Sequence, residues 1–203
     1  MKIICIGVNY RQHAIEMGRP FPEEPVVFIK PDSAIIRNNK PFYLPDFSEN
    51  IHYEVELVIK ISKLGKSIAA KYAHRYFDEV TLGIDITARD LQQRLGKAGH
   101  PWVLAKGFDG SAPLGKFMPV SAFKNVNDLD FRLDINGVTV QNSNTSDMIF
   151  GIGQIIEFVS RFFTLKTGDL IFTGTPSGVG ALKKNDNLVA YLEGKPVLDF
   201  MIR

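Results

Sequence analysis

A chain of 203 residues is long enough to bury a substantial core and is an ordinary size for one domain. Its 24 basic and 22 acidic side chains leave a net charge of +2, too balanced to argue for nucleic acid or an anionic membrane surface as a partner. The single cysteine, Cys5, excludes an internal disulfide and any cysteine-based zinc cluster. No apolar run approaches the roughly 18 residues of a membrane span. The opening apolar segment is also too short for a signal peptide. Together these features predict a cytoplasmic protein with one domain over residues 1–203.

Residues 2–8 form a β-branched apolar run and predict a buried strand with Cys5 in the core. Residues 11–18 favour a helix but stop at Gly18 and the Pro20-Phe21-Pro22 stretch, which limits it to two or three turns. His13 and Glu16 stand three apart there. A helix puts them on one face, where the carboxylate either orients the imidazole or makes a surface ion pair. A short helix between a glycine and prolines also suits a mobile flap over residues 11–22. Residues 26–30 read as a strand ended by Pro31, and Asn38-Asn39-Lys40-Pro41 reads as a turn.

The stretch 52–61 is the strand around which the chain is organised. Alternation puts His52, Glu54 and Glu56 on one face and Tyr53, Val55 and Leu57 on the other. At about 6–7 Å between alternate residues, both carboxylates can swing onto one point. Two bare anions there would raise each other's pKa, and a divalent cation removes that penalty. The alternative is an exposed strand with solvated glutamates.

Residues 69–77 predict a helix, and 79–86 an apolar strand that buries Asp85. A lone aspartate in such a run is costly unless paired, protonated or on a metal, so Asp85 is a third candidate ligand. The next helix begins with Thr87 as N-cap and Asp90 in a capping-box arrangement. It brings Arg89 and Gln92 onto one face, placed to grip a carboxylate-bearing substrate. Residues 102–110 predict a strand leading into a glycine turn; Lys106 either snorkels outward from it or is held in a site.

Asn136-Gly137 predicts a hairpin over 131–141. Ile149, Ile152, Ile156, Val159 and Phe163 recur at helical spacing and predict an amphipathic helix from Ser146 to about Phe162, its stripe facing the core. A strand over 169–173 runs into Gly174-Thr175-Pro176-Ser177-Gly178-Val179-Gly180. That loop lacks the Lys-Ser or Lys-Thr of a Walker motif. It is either a tight turn or a loop whose N–H groups approach a ligand closely. Residues 188–192 and 197–202 make a closing hairpin through Glu193-Gly194.

The acidic strand, Asp85, Arg89 with Gln92 at a helix start, Lys106 after a tryptophan, and the late Thr-Gly-Thr-Pro loop together resemble the fumarylacetoacetate hydrolase family over nearly the whole chain. The likeness is closest to the short branch of acylpyruvate hydrolases and oxaloacetate decarboxylases. It implies an α+β, β-rich fold: a mixed β-sheet roll with a few short helices. It also implies that Glu54, Glu56 and Asp85 hold Mg²⁺ or Mn²⁺, ions that suit hard oxygen donors. Lys106 is then catalytic, Arg89, Gln92 and Thr175 contact substrate, and His13 with Glu16 forms the catalytic pair on the flap. Tyr10 and Ser177 are weaker site candidates. The implied activity is metal-dependent C–C cleavage of a small 2-oxo acid through a pyruvate enolate, with hydrolysis of acetylpyruvate or fumarylpyruvate first. Oxaloacetate decarboxylation, and isomerisation or decarboxylation of aromatic-degradation intermediates, are the alternatives. A non-catalytic metal-dependent ligand-binding module would have no use for the His13–Glu16 pair. A homodimer is also implied.

Overall fold

The computed structural model describes residues 1–18 and 20–203; Arg19, in the expected flap, lies outside the described residues. The chain begins with β1 (Ile3–Gly7), α1 (Arg11–Glu16), β2 (Val26–Lys30) and β3 (Ile35–Ile36). The acidic stretch supplies two strands, β4 (Ile51–Tyr53) and β5 (Val55–Ile61), divided at Glu54. Then come β6 (Phe77–Ile84), β7 (Thr87–Ala88), α2 (Arg89–Lys97), α3 (Val103–Lys106), β8 (Ala112–Pro113) and β9 (Met118–Pro119). The remainder holds β10 (Asp130–Ile135), β11 (Val138–Asn144), α4 (Ile152–Phe162), β12 (Leu170–Phe172), β13 (Gly180–Ala181), β14 (Asn187–Leu192) and β15 (Lys195–Met201).

A six-stranded sheet runs β2-β1-β12-β5-β6-β9, with β1 and β12 parallel and the other neighbours antiparallel. A four-stranded antiparallel sheet, β11-β10-β14-β15, packs with it. Smaller sheets, β13-β4-β7 and β3-β8, complete a mixed β-rich fold with short helices, as the resemblance implied.

Strand alternation decides which face each side chain serves. Ile4, Ile6, Leu57, Ile59 and Ile61 join Leu133, Leu188, Phe200 and the α4 residues Ile152, Ile155, Ile156 and Val159 in the main core. Ile3, Cys5, Val58 and Phe172 face the other way, into a smaller cluster with Ala112 and Leu114. Glu56 shares the parity of Val58. The acidic strand therefore turns its carboxylate away from the main core, toward the thinner layer formed by α2, α3 and β8.

Both hairpin turns form where expected. Asn136 and Gly137 have φ of 53° and 80°, and Glu193 and Gly194 have 49° and 71°, so both central residues adopt the left-handed region that a primed two-residue turn requires. Four expectations are corrected. Residues 102–110 are not a strand: α3 is a single turn, with the Lys106 N–H bonded to the Trp102 carbonyl at 3.0 Å. The expected helix over 69–77 is a 3₁₀ helix at Ala70–Arg75, packed against α4. Thr87 does not cap α2. It lies in β7 with its hydroxyl donating to the Asp85 carbonyl, and Asp90 instead accepts from the Ser48 hydroxyl and the Glu49 and Leu91 N–H groups. Finally, α4 starts at Ile152 after Gly151, and Ser146 belongs to a separate 3₁₀ turn capped by Asn144. Among the described residues, no helix is long and apolar enough to cross a membrane.

Candidate active site

Glu54 sits where the chain leaves the β13-β4-β7 sheet and enters the six-stranded one. Its carbonyl accepts the Asp85 N–H at 2.8 Å, just beyond the last β5–β6 pair, Val55 with Ile84. This pairing places Asp85 beside the acidic strand. One carboxylate oxygen from each of Glu54, Glu56 and Asp85 lies within 4.8 Å of the others, and all three residues are buried. His52, on the same face by sequence, takes no part in the cluster; its Nε2 pairs with the Asn50 side chain at 2.9 Å.

Buried cations surround the carboxylates. Lys106 Nζ bridges Glu54 Oε2 at 2.7 Å and Asp85 Oδ2 at 2.6 Å, while lying 5.2 Å from the centre of the Phe28 ring. Arg89 pairs with Glu54 Oε1 through Nη2 and bonds Gln92 Oε1 through Nη1. Lys30 Nζ stands 2.8 Å from Asp85 Oδ1. It also donates to the carbonyls of Lys106, Ser111 and Ile86 and to the Ser111 hydroxyl. Lys30 therefore sets a buried positive charge directly against Asp85 Oδ1. Burial alone would raise the Glu54 pKa; Lys106 and Arg89 outweigh it and hold the group well below the usual carboxylate range. Burial lowers the Lys106 pKa, but Asp85 and Glu54 reverse the sign and leave it raised. Glu56 has no such partner. Its Oε2 accepts the Gly174 N–H at 2.7 Å, and burial, Asp85 and Glu54 push its pKa well above the ordinary value.

His13, 6% exposed, lines the same cavity as these groups. Its Nδ1 lies 3.1 Å from Glu16 Oε2, and because a carboxylate only accepts, Nδ1 carries a hydrogen; the neutral ring in this tautomer has its lone pair on Nε2. Glu16 also accepts the Gly178 N–H at 3.1 and 3.3 Å, which ties α1 to the glycine-rich loop. Thr175 reaches the cavity, but its hydroxyl donates to the Val55 carbonyl at 2.9 Å. Trp102, Phe28 and Met17 supply apolar wall. The central space is about 30 Å³, roughly one water's share of the liquid.

The structure thus brings together Glu54, Glu56, Asp85, Arg89, Gln92, Lys106, His13 and Thr175, with Glu16 behind His13. Tyr10 and Ser177 lie elsewhere, lining a separate surface cavity beside α1. Sequence reasoning missed Lys30 and Gln141. Lys30 carried the same signal as Lys106, a lysine closing an apolar run; Gln141, in a hairpin strand, carried none.

The donor set fits a hard divalent cation. It is all oxygen, and it includes one carboxylate, Glu56, that makes no direct ion pair with a cation among the described residues. Among the described residues, a buried polar atom beside the cluster, Arg89 Nε, also lacks a hydrogen-bond partner. Buried groups of this kind are costly to leave unpaired, as a ligand site must do.

The sequence profile of the fumarylacetoacetate hydrolase C-terminal family matches residues 2–203. The mitochondrial oxaloacetate tautomerase of Caenorhabditis elegans is 43% identical over 185 residues, covering 91% of this chain and 86% of that protein. An oxaloacetate tautomerase of Escherichia coli is 39% identical over 194 residues, covering 95% and 89%. The crystal structure of fumarylpyruvate hydrolase from Pseudomonas aeruginosa, in complex with Mn²⁺ and pyruvate, is 35% identical with a TM-score of 0.94, covering 100% of this chain and 89% of that one. With its three carboxylates, its buried lysine and arginine and its mixed-sheet fold, the chain belongs to the fumarylacetoacetate hydrolase family.

Proposed function

We propose that this protein is a divalent-metal-dependent enzyme of small 2-oxo acids that works by enolisation, with keto–enol tautomerisation of oxaloacetate as its principal reaction. The observation that carries the reading is the meeting, in one cavity, of three buried carboxylates, the cationic and amide donors Lys106, Arg89 and Gln92, and the His13 ring held by Glu16. Identity to the two oxaloacetate tautomerases, 43% and 39%, supports it.

Glu54, Glu56 and Asp85 would hold Mg²⁺ or Mn²⁺. When bound, the ion supplies Lewis-acid polarisation of the substrate's oxo group. Arg89, whose Nε–H is unpaired, binds a substrate carboxylate. Lys106 and Gln92 donate to the oxygen on which negative charge develops. His13 Nε2 takes a proton from the carbon next to the oxo group, the C–H electron pair becomes the C=C bond as the C=O π pair moves onto oxygen, and solvent water protonates that oxygen to the enol while the imidazolium returns its proton to solvent. Glu16 holds the ring in the tautomer that this requires and stabilises the imidazolium. The Thr175 hydroxyl, its hydrogen committed to Val55, serves a ligand only as an acceptor. The cavity of about 30 Å³ suits a small substrate such as a compact four-carbon diacid.

Acylpyruvate hydrolysis is the second reading, favoured by the same His13–Glu16 pair and by the likeness to the fumarylpyruvate hydrolase. There His13 would deprotonate a water that attacks the distal carbonyl, and the C–C bond would break to leave the pyruvate enolate. Rates for oxaloacetate tautomerisation, followed by enol absorbance, and for acetylpyruvate and fumarylpyruvate hydrolysis separate the two. Each is measured with Mg²⁺, with Mn²⁺ and with chelator. Tautomerisation should be fastest and chelator-sensitive. Faster acylpyruvate cleavage would install the second reading, and full activity in chelator would overturn both.

A further inference from the structure

We infer that Gln141 is a positioning residue that fixes the glycine-rich loop 174–178 against the acidic strand, and so couples the carboxylate end of the site to its His13–Glu16 end. Gln141 comes from β11, outside the six-stranded sheet, and is 1% exposed. Its Oε1 accepts the Val55 N–H at 2.9 Å, and its Nε2 donates to the Thr175 hydroxyl and to the Pro176 carbonyl, each at 2.9 Å. Thr175 in turn donates to the Val55 carbonyl at 2.9 Å. Gln141, Val55 and Thr175 therefore close a ring of three hydrogen bonds around the one residue between Glu54 and Glu56. The direction of the ring follows from the amide: the Thr175 hydroxyl is free to donate to Val55 because Gln141 donates to it.

The loop held in this way gives one N–H to each end of the site. Gly174 donates to Glu56 at 2.7 Å, and Gly178 donates to Glu16, the partner of His13. β11 presses on the loop at a second point. Gly178 has a φ of +94°, and a Cβ there would stand 2.2 Å from the carbonyl of Val140, the neighbour of Gln141. Gln141 touches no carboxylate of the cluster and does not line the cavity, so it acts through the loop.

The metal readout of the test rests on the proposed function; the exchange readout does not. Wild type, Gln141→Leu, Gln141→Glu and the exposed neighbour Asn142→Ala are compared as full chains, by hydrogen exchange without metal and by calorimetric Mn²⁺ titration. Leucine leaves the Val55 N–H and the Pro176 carbonyl without the Gln141 amide and removes the donor that orients the Thr175 hydroxyl toward Val55. It should speed exchange about tenfold at residues 11–18 and 174–178 and weaken Mn²⁺ binding about tenfold. Glutamate keeps the size and the Val55 bond but sets an oxygen against the Pro176 carbonyl. It should show the same pattern more weakly, and it decides the matter alone if the leucine variant does not fold. Asn142→Ala should match wild type. Wild-type exchange and Mn²⁺ affinity in a folded Gln141 variant would overturn the inference, as would acceleration spread equally over β10, β14 and β15. Wild type that binds no Mn²⁺ would instead sink the metal reading, leaving exchange to judge Gln141.

Discussion

Glu56 is the residue on which stability and function pull apart. Glu54 has Arg89 and Lys106, and Asp85 has Lys30 and Lys106, whereas Glu56 accepts the Gly174 N–H and makes no direct ion pair among the described residues. Its pKa is raised in the fold, so at neutral pH the folded chain binds more protons at this position than the unfolded chain, and its contribution to stability falls as pH rises from the unfolded value toward the folded one. Glu56→Gln should therefore raise the melting temperature of chelated protein, more at pH 8 than at pH 5.5, while weakening Mn²⁺ binding. Thermal unfolding at the two pH values checks this, and an equal shift at both would mean that Glu56 is ionised in the metal-free fold. Lys106→Met works the other way. It strands Glu54 and Asp85 without their shared ammonium and should cost about 3–5 kcal/mol in chelated protein. Added Mn²⁺ should restore more stability to this variant than to wild type, although turnover stays at least about 10²-fold down. At this scale the sequence was informative: an aspartate in an apolar run, which the structure sets just past the end of β6, and a lysine ending an apolar run are both anomalies that partnering resolves. Lys30 carried the same anomaly.

At the scale of elements, α1 and the β1–β12 seam carry the testable content. His13 rides on α1, and in the enolisation and hydrolysis proposed above it would serve as the base, whereas loss of CO₂ from oxaloacetate needs no base. His13→Ala should lower tautomerisation and acylpyruvate cleavage by about 10²–10⁴ and spare decarboxylation. Equal loss in all three, measured on one preparation with saturating metal, would reassign His13 to closure of the site. The parallel β1–β12 pair is pinned by Asp169, which accepts the Lys2 and Lys166 N–H groups at 2.8 Å each and pairs with the Lys2 ammonium. Burial would raise its pKa, but the Lys2 and Lys166 hydrogen bonds outweigh that and lower it. Its stabilisation is thus present above the unfolded aspartate pKa and lost as pH falls through the lower folded one. Asp169→Asn should destabilise by about 1.5–3 kcal/mol at pH 7 and by less as pH falls below the unfolded aspartate pKa, as read from denaturant melts. Both hairpins were legible because a two-residue primed turn is decided by its own two residues. Residues 102–110 and 69–77 were not: short apolar runs suit strand and helix alike, and packing against α2 and α4 settled them.

Across the whole molecule, the site joins elements far apart in the chain: β5, the end of β6, α2, α3 and the loop after β12. A ligand held by all of them stabilises the fold as a unit. Mn²⁺ at a hundred times its dissociation constant should add about 2.7 kcal/mol to the free energy of unfolding. Calorimetric scans with metal and with chelator measure the gain, and superimposable scans would show that no ion is bound.

By itself the sequence determined the chemistry of the site and the local elements: a Glu-x-Glu strand, a buried aspartate, the helix-face pairs His13–Glu16 and Arg89–Gln92, and two turns that accept positive φ. These follow from spacing and side-chain type, which act over a few residues. Only the tertiary structure decided that Asp85 joins the two glutamates, because β5–β6 register sets that meeting and register depends on the whole sheet. It also decided that Lys106 stands between carboxylates on a helical turn, that Lys30 balances Asp85, and that Gln141 holds the glycine-rich loop. These contacts join residues 21 to 86 positions apart, and their geometry comes from the packing of sheets and helices rather than from any periodicity along the chain.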